Sequence, residues 1–422
     1  MLTASRAPVL AVVQQHQEEA ACLRSTRQFL VAAPHVRLHH LRRLDDRIAA
    51  HLDGLCVAGA FGSRLCEAAL ESPGIGEVFV ATVRAIEDRS AQSLARLLSL
   101  AEAEPASGAG LRSAFGWVSA ASLRGITKEL LDSRSAFQRQ VGLAACGMHQ
   151  ADAGPALAAA LRDPDRVLRC RALRLAGEQG RIDLLPVCLE ALSDAEESCR
   201  FQAARSALLL GDRDTSVAAL HQAVGSPGPH RLDAIRLLLK VAAPTQAHAV
   251  LKNLANNPVD ARALILGVGV AGDVHYLPWL IQQMADLKLT RLAGEAFSTI
   301  TGLDLAYLDL ELKPPQDVET GPTDDPLDAG VAMDEDDSLP WPDPVKIAAW
   351  WQVHAPRFAP GTRYFLGEPP SAPHCVEVLK NGFQRQRIGA ALYLRLLQPG
   401  RPLFNTAAPA WRQLRLLAHP VL

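Results

Sequence analysis

Arginine is the residue whose spacing stands out in this 422-residue chain. Arg169, Arg200, Arg231 and Arg262 stand 31 residues apart, and Gln138 occupies the slot one period earlier. A second column, Arg174, Arg205 and Arg236, follows five residues behind the first. A guanidinium is permanently charged and presents a planar fork of donors that fits the edge of a carboxylate or phosphate. Each column therefore reads either as an internal ion-pairing device or as a surface for an anionic partner.

Other chemistry has weaker support. Gly267-Val268-Gly269-Val270-Ala271-Gly272 matches the dinucleotide fingerprint by letter, but that motif needs a strand before it and a helix opening at its last glycine. Here the arginine register places residues 262–270 on a helix that ends at Gly272-Asp273. His-Glu-x-x-His, Gly-x-Ser-x-Gly and a phosphate loop ending in Gly-Lys-Ser/Thr are absent. His39, His40 and His51 share one amphipathic stretch without a third ligand at useful spacing. The eight cysteines include no Cys-x-x-Cys pair, and Cys146, Cys170, Cys188 and Cys199 fall in apolar helical patterns, where a free thiol acts as a small hydrophobe. No catalytic residue, cofactor or metal ligand is expected.

The elements that carry the arginines repeat with them. Val141, Ala172, Ala203, Ala234 and Ile265 form one small-residue column, and Ala145, Ala176, Ala207 and Leu238 form another. Upstream, Ala158, Leu189, Leu220 and Leu251 recur in step. Residues at i, i+3 and i+7 share one face of a helix, so each unit reads as a short apolar helix (155–161, 186–192), a polar turn and a second helix bearing the arginine. Asp163 and Asp194 stand in the turns at positions suited to capping that second helix. One pair cannot bury both of its apolar faces, so neighbours must stack. The predicted fold is all-α, an α-solenoid of helix pairs with period about 31 and helical caps at both ends. Five residues advance about 140° round a helix, which turns Arg174, Arg205 and Arg236 away from the core. They are either solvated helix arginines or a stripe for an acidic partner surface, the chain's own acidic segment 317–343 included.

Composition sets the divisions. Residues 1–110 read as an N-terminal helical cap, in which Leu41, Leu44, Ile48, Leu52 and Leu55 form one stripe, and 111–312 as the repeat array. Residues 313–345 read as a flexible acidic linker, because 317–343 hold ten acidic and no basic side chains among many prolines and glycines. A calcium site at Asp334–Asp337 is the sharper alternative there, although the EF-hand spacing is lacking. Residues 346–422 read as an aromatic-rich helical module with a helix at 384–397. The formal charge of −2 gives no overall case for nucleic acid or an anionic membrane, and residues 160–240 balance 12 basic against 11 acidic side chains. The apolar run 8–13 is too short for a membrane span. The cytoplasm is the expected location.

The pattern Asp163…Arg169…Ala172 and Asp194…Arg200…Ala203 resembles the Asp/Arg ladder of HEAT repeats, and the short period resembles the phycobilisome-lyase type of HEAT-like repeat. That resemblance implies that Arg169, Arg200, Arg231 and Arg262 bond turn aspartates of adjacent units, with Gly225 and Asn256 interrupting the ladder after the third unit. It also implies that the second helices line a concave wall, which would carry Arg174, Arg205 and Arg236. HEAT-like hydroxylases hold iron through His-Glu pairs, and no histidine here is followed by glutamate. More widely, HLRRLDDRIAAHLDGLCVAGAFG (40–62), RLAGEAFSTITGLDL (291–305), WWQVHAPRFAPGTRYFLG (350–367) and FQRQRIGAALYLRLLQPG (383–400) resemble a group of proteobacterial HEAT-like proteins often encoded with type VI secretion genes. This implies a non-catalytic adaptor whose partner is a secretion-system component or effector. The alternatives are a lyase- or hydroxylase-type enzyme on the same frame, and a DNA-binding solenoid.

Overall fold

The structure is a computed structural model that describes residues 8–316 and 334–419. Unbranched side chains lose little rotamer freedom in a helix, and this Ala-, Leu- and Arg-rich chain is accordingly helical. Among the described residues there are 22 α-helices, and one two-stranded antiparallel sheet pairs Glu311–Leu312 with Trp341–Pro342.

The chain forms two compact units, one of Met1–Gly211 with Val376–Leu422 and one of Asp212–Cys375. This departs from the divisions expected from composition. The stretch 111–312 is divided after Gly211, and the C-terminal stretch 346–422 is divided after Cys375. Composition marks where burial changes along a chain, whereas a compact unit is defined by which segments touch.

In the first unit the stripe of the Leu38–Val57 helix is buried as its spacing requires, with Leu41, Leu44, Ile48, Leu52 and Leu55 facing the core. That helix packs on Leu10–Leu30, and the nearly engulfed Ile75–Glu87 helix packs on Leu10–Leu30 and Gly108–Trp117. The longer helices then follow one another: Gly108–Trp117 touches Ala136–His149, which touches Arg166–Gln179, which touches Glu197–Leu210. Ser135 and Asp165 cap the starts of two of them, accepting the backbone N–H groups of Gln138 and Leu168. Gln150, Gly180 and Gly211 end three of them in the left-handed conformation.

The C-terminal part of this unit runs along helix ends and satisfies their orphan carbonyls. Arg412 donates to Gly116, Met148 and Val118 carbonyls, and the Leu403 N–H donates to Glu178 at 2.7 Å. Gly180 lies so close to Gly400 and Arg401 that a Cβ there would collide with their carbonyls. A buried polar network fixes the far end. Arg27 and Asp45 pair at 2.6 Å, Arg27 also donates to the carbonyls of Ala407 and Ala408, and Asp45 accepts the Ala410 N–H at 2.7 Å.

The second unit repeats this design. The Arg231–Val241 helix packs on Ala261–Ala271, which packs on Thr290–Thr301. Here the segment 363–367 covers the helix ends. Arg363 donates to the carbonyls of Lys240 (2.6 Å), Ala242 (2.5 Å) and Ala271 (3.3 Å). The N–H groups of Tyr364, Leu366 and Gly367 reach Gly272, Thr299 and Ile300. Gly267 and Gly269 lie inside the Ala261–Ala271 helix, and Gly272 ends it at φ +71°. No strand precedes them, so the dinucleotide geometry is lacking.

The expected acidic linker is ordered at its second end. Residues 317–333 lie outside the described residues. Asp334 to Ser338 form turns, Trp341–Pro342 forms the short sheet, and the Pro344–His354 helix starts under the side chain of Asp343. Asp334, Glu335 and Asp336 are held by Arg291 and Arg262, partners that composition alone does not pick out.

Candidate functional site

Three members of the first arginine column, Arg169, Arg231 and Arg262, form ion pairs with carboxylates elsewhere in the chain, whereas Arg200, expected to do the same, forms none among the described residues. Arg169 donates from Nε to Asp194 at 2.6 Å and from Nη2 at 3.1 Å, while Nη1 donates to the Asp163 carbonyl of its own turn at 2.7 Å. One unit earlier the equivalent residue is Arg139, with Asp163 at 2.8 Å and the Ser133 carbonyl at 3.0 Å. The step between Arg139 and Arg169 is 30, so a strict period of 31 selected Gln138, whose side chain instead accepts from Ser133 Oγ. Arg200 donates to the carbonyls of Asp194 and Ala195, both at 2.8 Å.

The second unit also contains such pairs. Arg231 grips Asp260 with both Nη atoms, at 2.5 and 2.8 Å. Arg262 grips Asp336 at 2.8 and 2.9 Å, and Arg291 pairs with Asp334 while its guanidinium lies 4.7 Å over the Trp341 ring. Asp260 stands four residues beyond Asn256, the slot the periodicity pointed to, and Asp336 lies 74 residues beyond Arg262. Neither could be found by counting at a fixed period. Of the candidate calcium ligands, Asp334, Glu335 and Asp336 are already paired with the guanidiniums of Arg291 and Arg262, while Asp337 accepts from the Ser338 hydroxyl.

Asp163 and Asp194 are not the helix caps. Asp165 takes that role in one unit, and Asp163 and Asp194 each accept the N–H two residues on, at 2.9 Å, closing the turn while the other oxygen takes an arginine. The hydrogen bond from Arg169 holds the Asp194 carboxyl below its usual range against the opposing effect of burial. Arg231 does the same for Asp260.

The second column divides. Arg174 and Arg205 converge on Glu178, at 2.7 and 3.2 Å, and Arg174 is about half exposed while Arg205 is largely covered. Burial alone would raise the Glu178 carboxyl, but the charges of Arg205, Arg174 and Arg171 outweigh it and hold it low. Arg236 belongs to the second unit and meets Asp233 at 3.0 Å. Two further arginines of the first unit, Arg112 and Arg171, lie outside both columns. Arg171 is pushed below its usual value by burial and then by the neighbouring charge of Arg174, with Arg112 adding to it. Burial lowers Arg112 as well. The expected contact of segment 317–343 with the stripe falls largely on residues outside the described ones. The described acids Asp334, Glu335 and Asp336 engage Arg262 and Arg291.

One buried amine stands apart. Lys240 is pushed down to about 7 by burial, with the charge of Arg363 adding to this, and its Nζ lies 5.6 Å from the Phe365 ring centre. Histidines come together in pairs rather than in ligand sets: Nδ1 of His16 lies 3.0 Å from Nδ1 of His51. Among the described residues no group of three His, Cys, Asp or Glu side chains could hold a metal ion, and no helix is long and apolar enough to cross a membrane. A cleft beside Leu394, Gln398 and Phe404 has a cavity volume of about 20 Å³, room for about one water molecule and far below the roughly 300–1,000 Å³ of small-molecule sites. Cys146, Cys188 and Cys199 are buried, as their apolar surroundings predicted, and Cys170 is partly buried. Burial raises all four thiols, which disfavours the nucleophilic thiolate. Among known proteins, no family model, no curated protein and no solved structure matches this chain.

Proposed function

We propose that this chain is a non-catalytic interaction scaffold built of HEAT-like helix pairs, acting as an adaptor or accessory protein of a type VI secretion system in the cytoplasm. The observation that carries the scaffold reading is the set of Arg–Asp pairs that join one helix pair to the next, as between Arg169 and Asp194. Such pairs stiffen an array of helices and leave its long faces for a partner. The secretion setting rests on the resemblance of segments 40–62, 291–305, 350–367 and 383–400 to HEAT-like proteins encoded with those genes. The partner is a protein, a secretion component or effector.

The test is affinity capture of the full chain from its native host, with mass spectrometry of what is held. A structural component or effector of the secretion apparatus, captured at defined stoichiometry and recaptured from purified parts, is the expected result. Purified protein that carries a metal or tetrapyrrole and turns over a substrate would replace the scaffold with an enzyme.

A further inference from the structure

Two histidines of the first unit face each other across a helix–helix contact. His16 lies on Leu10–Leu30 and His51 on Leu38–Val57, and these two helices pack together. Their Nδ1 atoms stand 3.0 Å apart, and among the described residues neither ring makes another hydrogen bond. Gly54, one turn beyond His51, makes room for this approach, since a Cβ there would come within 2.6 Å of the His16 ring. Both rings are partly exposed, so an ion can reach them from solvent. Burial and then the neighbouring His16 hold His51 below its usual value, with Arg47 adding to the effect and Glu19 opposing it. The neutral imidazole thus favoured is the form that ligates a metal.

We propose that His16 and His51 clamp a divalent transition-metal ion of the zinc class between their Nδ1 atoms, with water completing its coordination. Two nitrogens each about 2.0–2.1 Å from one tetrahedral ion stand about 3.3 Å apart. The observed separation falls only a few tenths of an ångström short of that, which a rotation of the two rings supplies. The ring that donates through Nδ1 carries its proton on Nε2 once an ion takes that place, so both rings stay neutral. Imidazole suits zinc, copper and nickel, whereas calcium and magnesium take oxygen ligands. An ion held here ties the Leu10–Leu30 helix to the Leu38–Val57 helix, so its binding energy adds to the stability of the first unit. His39 and His40, whose rings lie 4.0 Å apart, are neighbours on a single helix, and an ion there would join nothing. The proposal does not depend on the scaffold reading.

The experiment takes the full chain, stripped of metal by a chelator, and titrates it with zinc chloride alone, read by calorimetry and by the thermal midpoint. Saturable zinc binding is expected, weakened about tenfold or more in His16→Gln and in His51→Gln. The midpoint should climb with zinc concentration, as it does for any ligand held only by the folded state. Calcium and magnesium chlorides should leave it unchanged. Gly54→Ala keeps both histidines and favours the helix, but its Cβ pushes the His16 ring aside. It should weaken zinc about tenfold too, while the metal-free midpoint holds or rises. His39→Gln serves as the control and should bind zinc as the parent chain does. Undiminished zinc binding in the His16→Gln, His51→Gln double variant overturns the proposal, because other side chains then hold the ion. Equal loss in His39→Gln overturns it as well. So does the lack of saturable binding at millimolar zinc, which leaves the pair a plain hydrogen bond between helices. Zinc bound at this pair without turnover of a substrate leaves the scaffold reading intact.

Discussion

Arg169 and Asp194 show how one side chain can serve two purposes in a helical chain. The same guanidinium ties its own turn through the Asp163 carbonyl and the neighbouring turn through the Asp194 carboxylate. Both partners are largely shielded, so the pair belongs with charge-assisted bonds rather than with solvated surface bridges. Asp194→Asn is expected to cost about 1.5–3 kcal/mol, read as a shift in the urea midpoint. Because the folded-state values of Asp194 and Asp260 are depressed, they stabilise the fold fully above the ordinary carboxylate range. That contribution is lost as pH falls through their folded values, and the variant should flatten the acid limb of the stability profile. Lys240 works in the opposite direction. Its folded value near 7 lies below the unfolded one, so the unfolded chain binds more protons between about pH 7 and 10. Stability should therefore rise over that window, and Lys240→Met should raise the melting midpoint at pH 7 and remove the slope.

At the scale of the element, the ends of the longer helices matter more than their faces. Carbonyls at a helix C-terminus carry partial negative charge and lack intrahelical donors. Arg363 and Arg412 answer three carbonyls each. Arg412→Ala should destabilise the first unit by about 2–4 kcal/mol, since it leaves several covered carbonyls unanswered; thermal unfolding checks this. Gly272→Ala should be worse than a helix-interior substitution of the same kind. Its φ of +71° disfavours any side chain, and the added Cβ would press on the Tyr364 carbonyl. The neighbouring glycine at 267 sits inside the helix and offers the control.

At the scale of the molecule, the second unit is a continuous stretch set between the two parts of the first. The first unit therefore depends on a long-range return of the chain: Asp45 accepts from Ala410, 365 residues away. Removing residues 376–422 should deprotect the amides of helices 108–117, 136–149 and 166–179 in hydrogen exchange. The helices of 231–301 should keep their protection, because their ends are covered by 363–367. Equal loss in both units would show that the two share one cooperative transition.

The sequence alone was enough for the helices and for one arginine pair, Arg169 with Asp194, because both are local and periodic. The stripe of 41–55, the bounds of 384–397 and the pair Arg169–Asp194 depend on spacings of a few residues or of one period. Arg139 was obscured by a step of 30, and Asp260 and Asp336 by positions off the register. The division at 211 and 375 and the carbonyl-capping arms came only from tertiary structure. Burial and long-range donor–acceptor pairing decide them, and a linear pattern carries neither.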